Sequence, residues 1–358
     1  MKSVFLVKTP LQLLNAIEAK HYFKLSSGDC ILIIMGDRKS QPQLLMLASD
    51  TQEWGKVVTL NNVNMFYGDP LDIISNSIVK KIQQLSLFKR SFFYVRRLNR
   101  ISKYIGNAKY IFMGYTRYIY MNHFANITQH EKVILLDDGV GAIEYAKLRK
   151  QGVILEPNIR LKTRVKRYGK VFFQGVKGGE AENVTFFTAY DISVDKNDQV
   201  VRNDFSYLRS NVNALTVSDD VFFIGSPLSE VSIVSQENYF LYLNKIKKYF
   251  KNKTIVYIAH RRESPKKLEL IKSELNLKVV LFDYPIEYQL ASIGPRPKIL
   301  ASFVSSALDS CRLIFGDELK IISFTLDDII DPYVEEIGAV YESYKSYTSE
   351  SFNIVSEY

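Results

Sequence analysis

The apolar positions of the chain fall into two kinds of segment that alternate along its length. Short runs of strand length, Val4 to Lys8, Cys30 to Met35, Lys56 to Leu60, Tyr110 to Met113 and Val133 to Leu136, end in polar or glycine-containing breaks. Between them lie stretches of helical character: Pro10 to Phe23, Pro42 to Ala48, Ile73 to Ile105 as one or two long helices, and Arg117 to Ile127. Strands alternating with helices predict a parallel sheet covered on both faces. From Leu161 to Asp191 the rhythm breaks. Gly169, Gly175, Gly178 and Gly179 accompany β-rich pieces such as Val171-Phe172-Phe173 and Thr185-Phe186-Phe187. This region reads as an insertion or hairpin at the edge of a first domain.

A polar stretch from Ser193 to Asp220 follows and places a linker near Val217. Alternation then restarts. Val221 to Ile224, Thr254 to Ile258, Lys278 to Phe282, Lys298 to Val304 and Lys320 to Phe324 read as strands. Glu237 to Phe250, Lys266 to Leu275, Ile286 to Ile293, Ala307 to Ile314 and Val334 to Tyr344 read as helices, the last closing the chain. The expected fold is α/β, with two Rossmann-like domains, 1–216 and 217–358, and a cleft between them. A length of 358 residues agrees, being long for one core.

Composition narrows the class. With 47% apolar and 24% charged residues the chain reads as an ordinary soluble globular protein. Cys30 and Cys311 stand far apart in apolar surroundings, which gives neither a disulfide framework nor metal-ligand spacing and suits a reducing compartment. Lys8 interrupts the N-terminal apolar run before a signal-peptide core can form, and no run reaches the ~18 apolar residues of a membrane span. The expected location is the cytoplasm.

The net charge of +9 is unevenly placed. From Ile73 to His130 there is no acidic residue, while ten Lys and Arg occur. Lys89, Arg90, Arg96, Arg97, Arg100 and Lys103 interleave with Phe88, Phe92, Phe93, Val95, Leu98 and Ile101, an amphipathic basic helix pattern. A second basic stretch, Lys147 to Lys170, has Glu156 as its only acid. Such a surface suits anionic lipid headgroups or an acidic acceptor. None of the usual nucleic-acid motifs accompanies it, and a solvated helix face is the plain alternative.

Two constellations carry chemistry. In the first, Val133 to Leu136 runs into Asp137-Asp138-Gly139, with Gly139 and Gly141 allowing a tight turn before a helix. Carboxylates at the C-terminal end of a buried strand sit where open α/β sheets place ligands. One of them can act as a general base or merely cap the helix. The second constellation is spread over four expected strand ends: Gly225-Ser226, His260-Arg261-Arg262, Glu287 and Ser305-Ser306. Parallel strands share a C-terminal edge, so these should gather there. Ser305 and Ser306 precede a helix whose amides can hold a phosphate. His260 can donate to a leaving phosphate, and Glu287 can accept from ribose hydroxyls.

In their order, Asp137-Asp138-Gly139, then His260, then Ser305-Ser306, these motifs resemble those of the bacterial sialyltransferases. The likeness is closest to the lipooligosaccharide type, glycosyltransferase family 52. The opening Lys8-Thr9-Pro10-Leu11-Gln12-Leu13-Leu14 and the stretch Asp283-Tyr284-Pro285-Ile286-Glu287 are also similar to that family. The resemblance runs from Val4 to about Asp328. One departure is Arg261, where the wider superfamily has proline.

The resemblance implies a GT-B architecture, two Rossmann-like domains facing a central cleft, the N-terminal one for the acceptor and the C-terminal one for the donor. It further implies an inverting, metal-independent transfer of a sialic (nonulosonic) acid from its CMP-activated donor to a hydroxyl of a cell-surface glycan. One of Asp137 and Asp138 is then the base, which of them being open, and His260, Ser305 and Ser306 stabilise the departing phosphate. Gly139, Gly225, Ser226, Arg261 and Glu287 join the donor side, and Thr9 and Gln12 the acceptor side. No cofactor or metal is expected. The expected partners are the CMP-sugar, the glycan acceptor, peripheral contact with an anionic membrane surface and a second copy in a homodimer, but not nucleic acid. The rival readings are a transferase using another sugar nucleotide or CMP-Kdo, and a catalytically silent partner in polysaccharide assembly.

Overall fold

The computed structural model describes residues 1–36, 40–60, 77–114, 118–139, 141–152, 175–212 and 215–358, with backbone alone over 77–88. Two compact units emerge, Met1–Asn203 and Asp204–Tyr358.

The first unit is built on strands β1 (Lys2–Val7), β2 (Cys30–Ile34), β3 (Lys56–Thr59), β4 (Asn107–Met113), β5 (Gln129–Leu136), β6 (Val184–Thr188) and β7 (Gln199–Arg202). Their order in the sheet is β3-β2-β1-β4-β5-β6-β7, and every pairing is parallel. The helices are α1 (Pro10–Tyr22), α2 (Gln41–Thr51), α3 (Ser77–Ile105), α4 (Ile119–Ile127) and α5 (Gly141–Lys150). Central strands buried on both faces read as continuous apolar runs: Val4 to Val7 and Leu32 to Ile34 are wholly buried. Phe5 and Phe112 stack at 4.1 Å between ring centroids. α1 starts sharply because Thr9 caps it and Pro10 occupies its first turn.

The second unit opens with α6 (Ser206–Val212). It continues through β8 (Val217–Ile224), α7 (Gln236–Tyr249), β9 (Ile255–Ile258), α8 (Pro265–Glu274) and β10 (Lys278–Val280). Helix α9 (Ile286–Tyr288) runs into a π-helical turn, Gln289–Ile293, and β11 (Arg296–Ser302), α10 (Ser306–Phe315), β12 (Lys320–Phe324), α11 (Val334–Lys345) and β13 (Phe352–Val355) complete it. Its sheet, β10-β9-β8-β11-β12-β13, is again parallel throughout.

Two parallel-sheet α/β units are the expected class, and three local readings change. Thr185-Phe186-Phe187 lies not in a hairpin but in β6, fully buried and parallel to β5, since phenylalanines sealed on both faces read like any short apolar run. The polar stretch 193–220 holds β7 and α6, and Val217 is the first residue of β8. The chain closes not on a helix but on β13, an edge strand parallel to β12. Val171-Phe172-Phe173, Gly169 and the ends of the readings at Ile73 and Arg117 lie outside the described residues.

Each sheet reverses direction once. β1 is followed to one side by β2 and β3 and to the other by β4 to β7, so the first switch point lies between β1 and β4. In the second sheet it lies between β8 and β11. Open α/β sheets bind ligands beyond the C-terminal ends of strands at such points.

Candidate active site

Thr9, Gln12, Asp137, Asp138 and Gly139 come together at the first switch point. β5 delivers the two aspartates, and Gly139 turns the chain towards α5 with a positive φ of 70°, a conformation that glycine adopts without strain.

The two carboxyls have different surroundings. Asp137 is 4% exposed. Its Oδ2 accepts the Ala189 N–H at 2.7 Å, and its backbone carbonyl accepts Asn15 Nδ2 at 3.0 Å. Asn15 in turn accepts from Asn203 at 2.9 Å. Burial pushes the Asp137 carboxyl up to about 7, against the lowering effect of the Ala189 and Thr188 hydrogen bonds. Asp138 is half-buried, and its Oδ1 accepts from Thr9 Oγ1 at 3.1 Å. Burial raises its pKa too, opposed by Thr9, Gln12 and Lys8. Both line a small cavity of about 80 Å³ whose wall includes Gly114, Gly141, Glu144 and Tyr145. A half-buried carboxylate with a raised pKa is suited to take a proton from a hydroxyl.

In the second unit, Gly225, Ser226, His260, Arg261, Ser305 and Ser306 all follow strands β8, β9 or β11 at the C-terminal edge. His260 Nδ1 accepts the Arg262 N–H at 3.2 Å, which puts the ring proton on Nε2. Burial, then the Arg261 and Arg262 guanidiniums, hold the imidazole pKa down at about 4. At neutral pH His260 is therefore a neutral donor through Nε2–H. Ser305 Oγ accepts the Ala307 N–H at 3.2 Å as the N-cap of α10, and Ser306 is exposed on the first turn. Tyr344 Oη brackets Ser305, accepting its N–H at 3.1 Å and donating to its carbonyl at 2.9 Å.

Three of the expected donor-side residues are tied into the protein itself. Ser226, 5% exposed, donates through Oγ to Val304 O at 3.2 Å and so joins the ends of β8 and β11. Gly225 has no room for a side chain, because a Cβ there would overlap Tyr257 and Glu263. Glu287, 5% exposed, accepts from Ser310 Oγ at 2.7 Å, and burial raises its pKa.

The scaffold behind His260 escaped the sequence reading. Glu263 accepts from the His260 N–H at 2.7 Å, from Tyr257 Oη at 2.5 Å and from Lys267 Nζ at 2.9 Å. Lys267 also donates to Ser226 O at 3.1 Å, pairs with Glu230 at 3.2 Å and sits 3.7 Å from the Tyr239 ring centre. This buried network pins the end of β9 to the end of β8. Its one sequence signal was the Glu263-Lys267 spacing of four, which equally describes an exposed helix pair. Gln12, Asn15 and Glu18, spaced by three along α1 and all buried, were a readable sign of a polar buried face.

On α3, Lys89, Arg90, Arg96, Arg97, Arg100 and Lys103 are exposed, while Ser91, Tyr94, Val95 and Leu98 are buried. Phe93 and Tyr104 stand among the cations at 66% and 71% exposure. Among the described residues no helix is long and apolar enough to cross a membrane, and no three His, Cys, Asp or Glu side chains group as a metal-ion site.

A sequence profile of the alpha-2,8-polysialyltransferase (POLYST) family matches residues 3–324. The chain belongs to this family. Family membership makes it a glycosyltransferase, and the reaction it supports is sialyl transfer. Comparison with curated proteins returned no match. In fold, the family member is similar to the 2,6-sialyltransferase of Photobacterium sp. JT-ISH-224, solved with CMP and lactose. The TM-score is 0.52 at 11% identity, over 99% of this chain and 78% of that one. S. aureus MnaA solved with UDP gives a TM-score of 0.49 at 11% identity over 97% and 88% of the two chains. E. coli heptosyltransferase WaaC gives 0.41 at 9% identity over 97% and 100%. The paired parallel-sheet units are those of the GT-B glycosyltransferases.

Proposed function

We propose that the protein transfers a sialic (nonulosonic) acid from its CMP-activated form to a hydroxyl of a cell-surface glycan, with inversion and without a metal. Asp138 acts as the base. It removes the acceptor proton as the hydroxyl oxygen bonds to the anomeric carbon, the bond from that carbon to the CMP phosphate breaks, and its electron pair leaves with the phosphate. The neutral His260, through Nε2–H, and the hydroxyls of Ser305 and Ser306 meet the charge that develops there, as preorganised donors do. Arg261, beside His260, adds a cation where the wider superfamily carries proline. The first unit takes the acceptor and the second the donor, with Gly225, Ser226 and Glu287 shaping the donor side from behind and Gly139 turning the chain at the base.

The observation that carries this reading is the contrast between the paired aspartates at the end of β5. Asp137 is sealed by Ala189 and anchors the strand end, whereas Asp138 is half-open, hydrogen-bonded by Thr9 and raised in pKa. The finer assignment, kinship with the lipooligosaccharide type of family 52, rests on the motif order and is part of the proposal. So are work at the cytoplasmic face of a membrane, with the cationic, aromatic-studded face of α3 on anionic headgroups, and pairing of two copies. CMP-sialic acid incubated with glycans that do and do not end in sialic acid tests the reading. NMR of the product should show an inverted anomeric centre, and added EDTA should leave the rate unchanged. No transfer to any acceptor and no CMP release would overturn it.

A further inference from the structure

Gln12 is buried to 0% exposure in the first turn of α1, and nothing in the scheme above requires a glutamine there. Its Oε1 accepts the Lys8 N–H at 2.7 Å, which fixes the amide with its nitrogen turned the other way. That nitrogen, Nε2, is closed off from solvent and completes no hydrogen bond among the described residues. The amide lies in the neighbourhood of Asp138: Thr9 Oγ1 both accepts the Gln12 N–H and donates to Asp138 Oδ1, and Gly114, against which the Gln12 side chain packs, lines the same small cavity as Asp138. In keeping with this, Gln12 favours the ionised form of that carboxyl. Buried donors are almost always satisfied, and one that is not calls for a reason.

Gly114 supplies the other half of the arrangement. It follows β4 directly, and a Cβ there would overlap Cγ, Cδ and Oε1 of Gln12; the glycine is required by this close approach, since its φ lies outside the left-handed range. Backbone on one side and a missing side chain on the other thus confine the amide to one pose.

We propose that Gly114 and the Lys8 amide lock Gln12 so that its Nε2, together with the Thr9 hydroxyl, aims the Asp138 carboxylate at the acceptor. Gln12 is then a positioning residue. The Thr9 hydrogen bond holds one carboxylate oxygen, and the N–H dipole of the locked amide favours one orientation of the group, which leaves lone pairs for the acceptor hydroxyl. The inference rests on the reading of Asp138 as base. The charged and titratable groups around that carboxyl are Lys8, which favours the anion, the adjacent Asp137, and Glu144 and Tyr145 on the cavity wall from α5.

The test follows donor hydrolysis, with water as acceptor, against pH in the full chain. Asp138→Asn is the control for the base itself. Gln12→Met removes the N–H beside the anion, so protonation of Asp138 becomes easier and the acid limb of the profile moves to higher pH. Gln12→Glu keeps an acceptor for the Lys8 N–H but sets a like charge beside Asp138, and moves the limb further. At about pH 6 the rate relative to its plateau should fall by up to about tenfold, the size expected for one hydrogen bond to a charged group. Gly114→Ala should shift the limb in the wild type and add nothing in a Gln12→Ala background, where the overlap is gone. For a slow variant, ¹³C NMR titration of labelled aspartate reads the same shift directly. If Asp138→Asn hydrolyses donor at the wild-type rate, the reading of the base fails. If Asp138→Asn is inactive but the Gln12 variants keep the wild-type limb and carboxyl titration, this inference is overturned.

Discussion

Thr9 Oγ1 donates to Asp138 Oδ1 at 3.1 Å although 129 positions separate the two residues. The same oxygen accepts the Gln12 N–H at 3.2 Å as the cap of α1. One hydroxyl therefore starts a helix and orients a carboxyl from the far side of β4. Thr9→Val removes both contacts while keeping the shape. The cap alone is worth about 1 kcal/mol, so thermal unfolding should move down by a few degrees, while Thr9→Ser should restore both stability and rate. A Thr9→Val protein with unchanged melting and turnover would contradict the arrangement.

Asp137 makes the stability of the protein depend on pH. Its folded pKa of about 7 lies above the unfolded value of about 3.9. Between these values the folded state binds more protons than the unfolded one, so this residue's contribution to stability falls as pH rises through the window. Asn at this position keeps an acceptor for the Ala189 N–H and cannot ionise. Asp137→Asn should be stabilising relative to wild type at about pH 8, by on the order of a few kcal/mol, and the gain should vanish towards pH 4. Urea unfolding across that range measures it, and parallel curves for the two proteins would contradict the buried placement.

Much of the fold was legible because parallel strands sealed on both faces appear as uninterrupted apolar runs, and β2, most of β1 and the C-terminal half of β5 are of that kind. β7, Gln-Val-Val-Arg, is a largely exposed strand without such a run. β13 was hidden by a short, partly exposed sequence after a long helix. The Asp-Asp-Gly turn and the serine pair were visible from residue type and position. The groups that hold them were not. Asn203 reaches Asn15 over 188 positions, and Gly114 is needed only because Gln12 lies against it. Such contacts follow from the switch-point topology, which no local pattern states.

On the donor side, the exposed Ser306 and the capping Ser305 are the two hydroxyls proposed to meet the CMP phosphate. Hydrogen bonds to a charged group contribute roughly 1.5–3 kcal/mol each. The Ser305→Ala, Ser306→Ala double variant should bind CMP tenfold or more weakly by that measure. Because His260 is held neutral, CMP affinity in the wild type should not drop as pH passes from 6 to 8 through any imidazole titration. Calorimetry with unchanged affinity in the double variant would remove the serines from the site.

The exposed cations of α3 lead to a salt-dependent expectation. Co-sedimentation with anionic phosphatidylserine vesicles should exceed that with neutral vesicles, and should weaken as ionic strength rises. Changing Arg96, Arg97 and Arg100 together to glutamine should abolish the difference without altering CMP binding. Equal binding to both vesicle types, or to neither, would exclude this face.

The most direct measurement compares Asp138→Asn with Asp137→Asn in turnover of CMP-sialic acid and, separately, in CMP affinity. General-base catalysis contributes about 10² to 10⁴ in rate. Asp138→Asn should lose a factor of that order in kcat while binding CMP as tightly as wild type, because the base acts on the acceptor and not on the nucleotide. Asp137→Asn, which keeps the anchor to Ala189, should lose far less. An Asp138→Asn enzyme within a few-fold of the wild-type kcat would contradict the account.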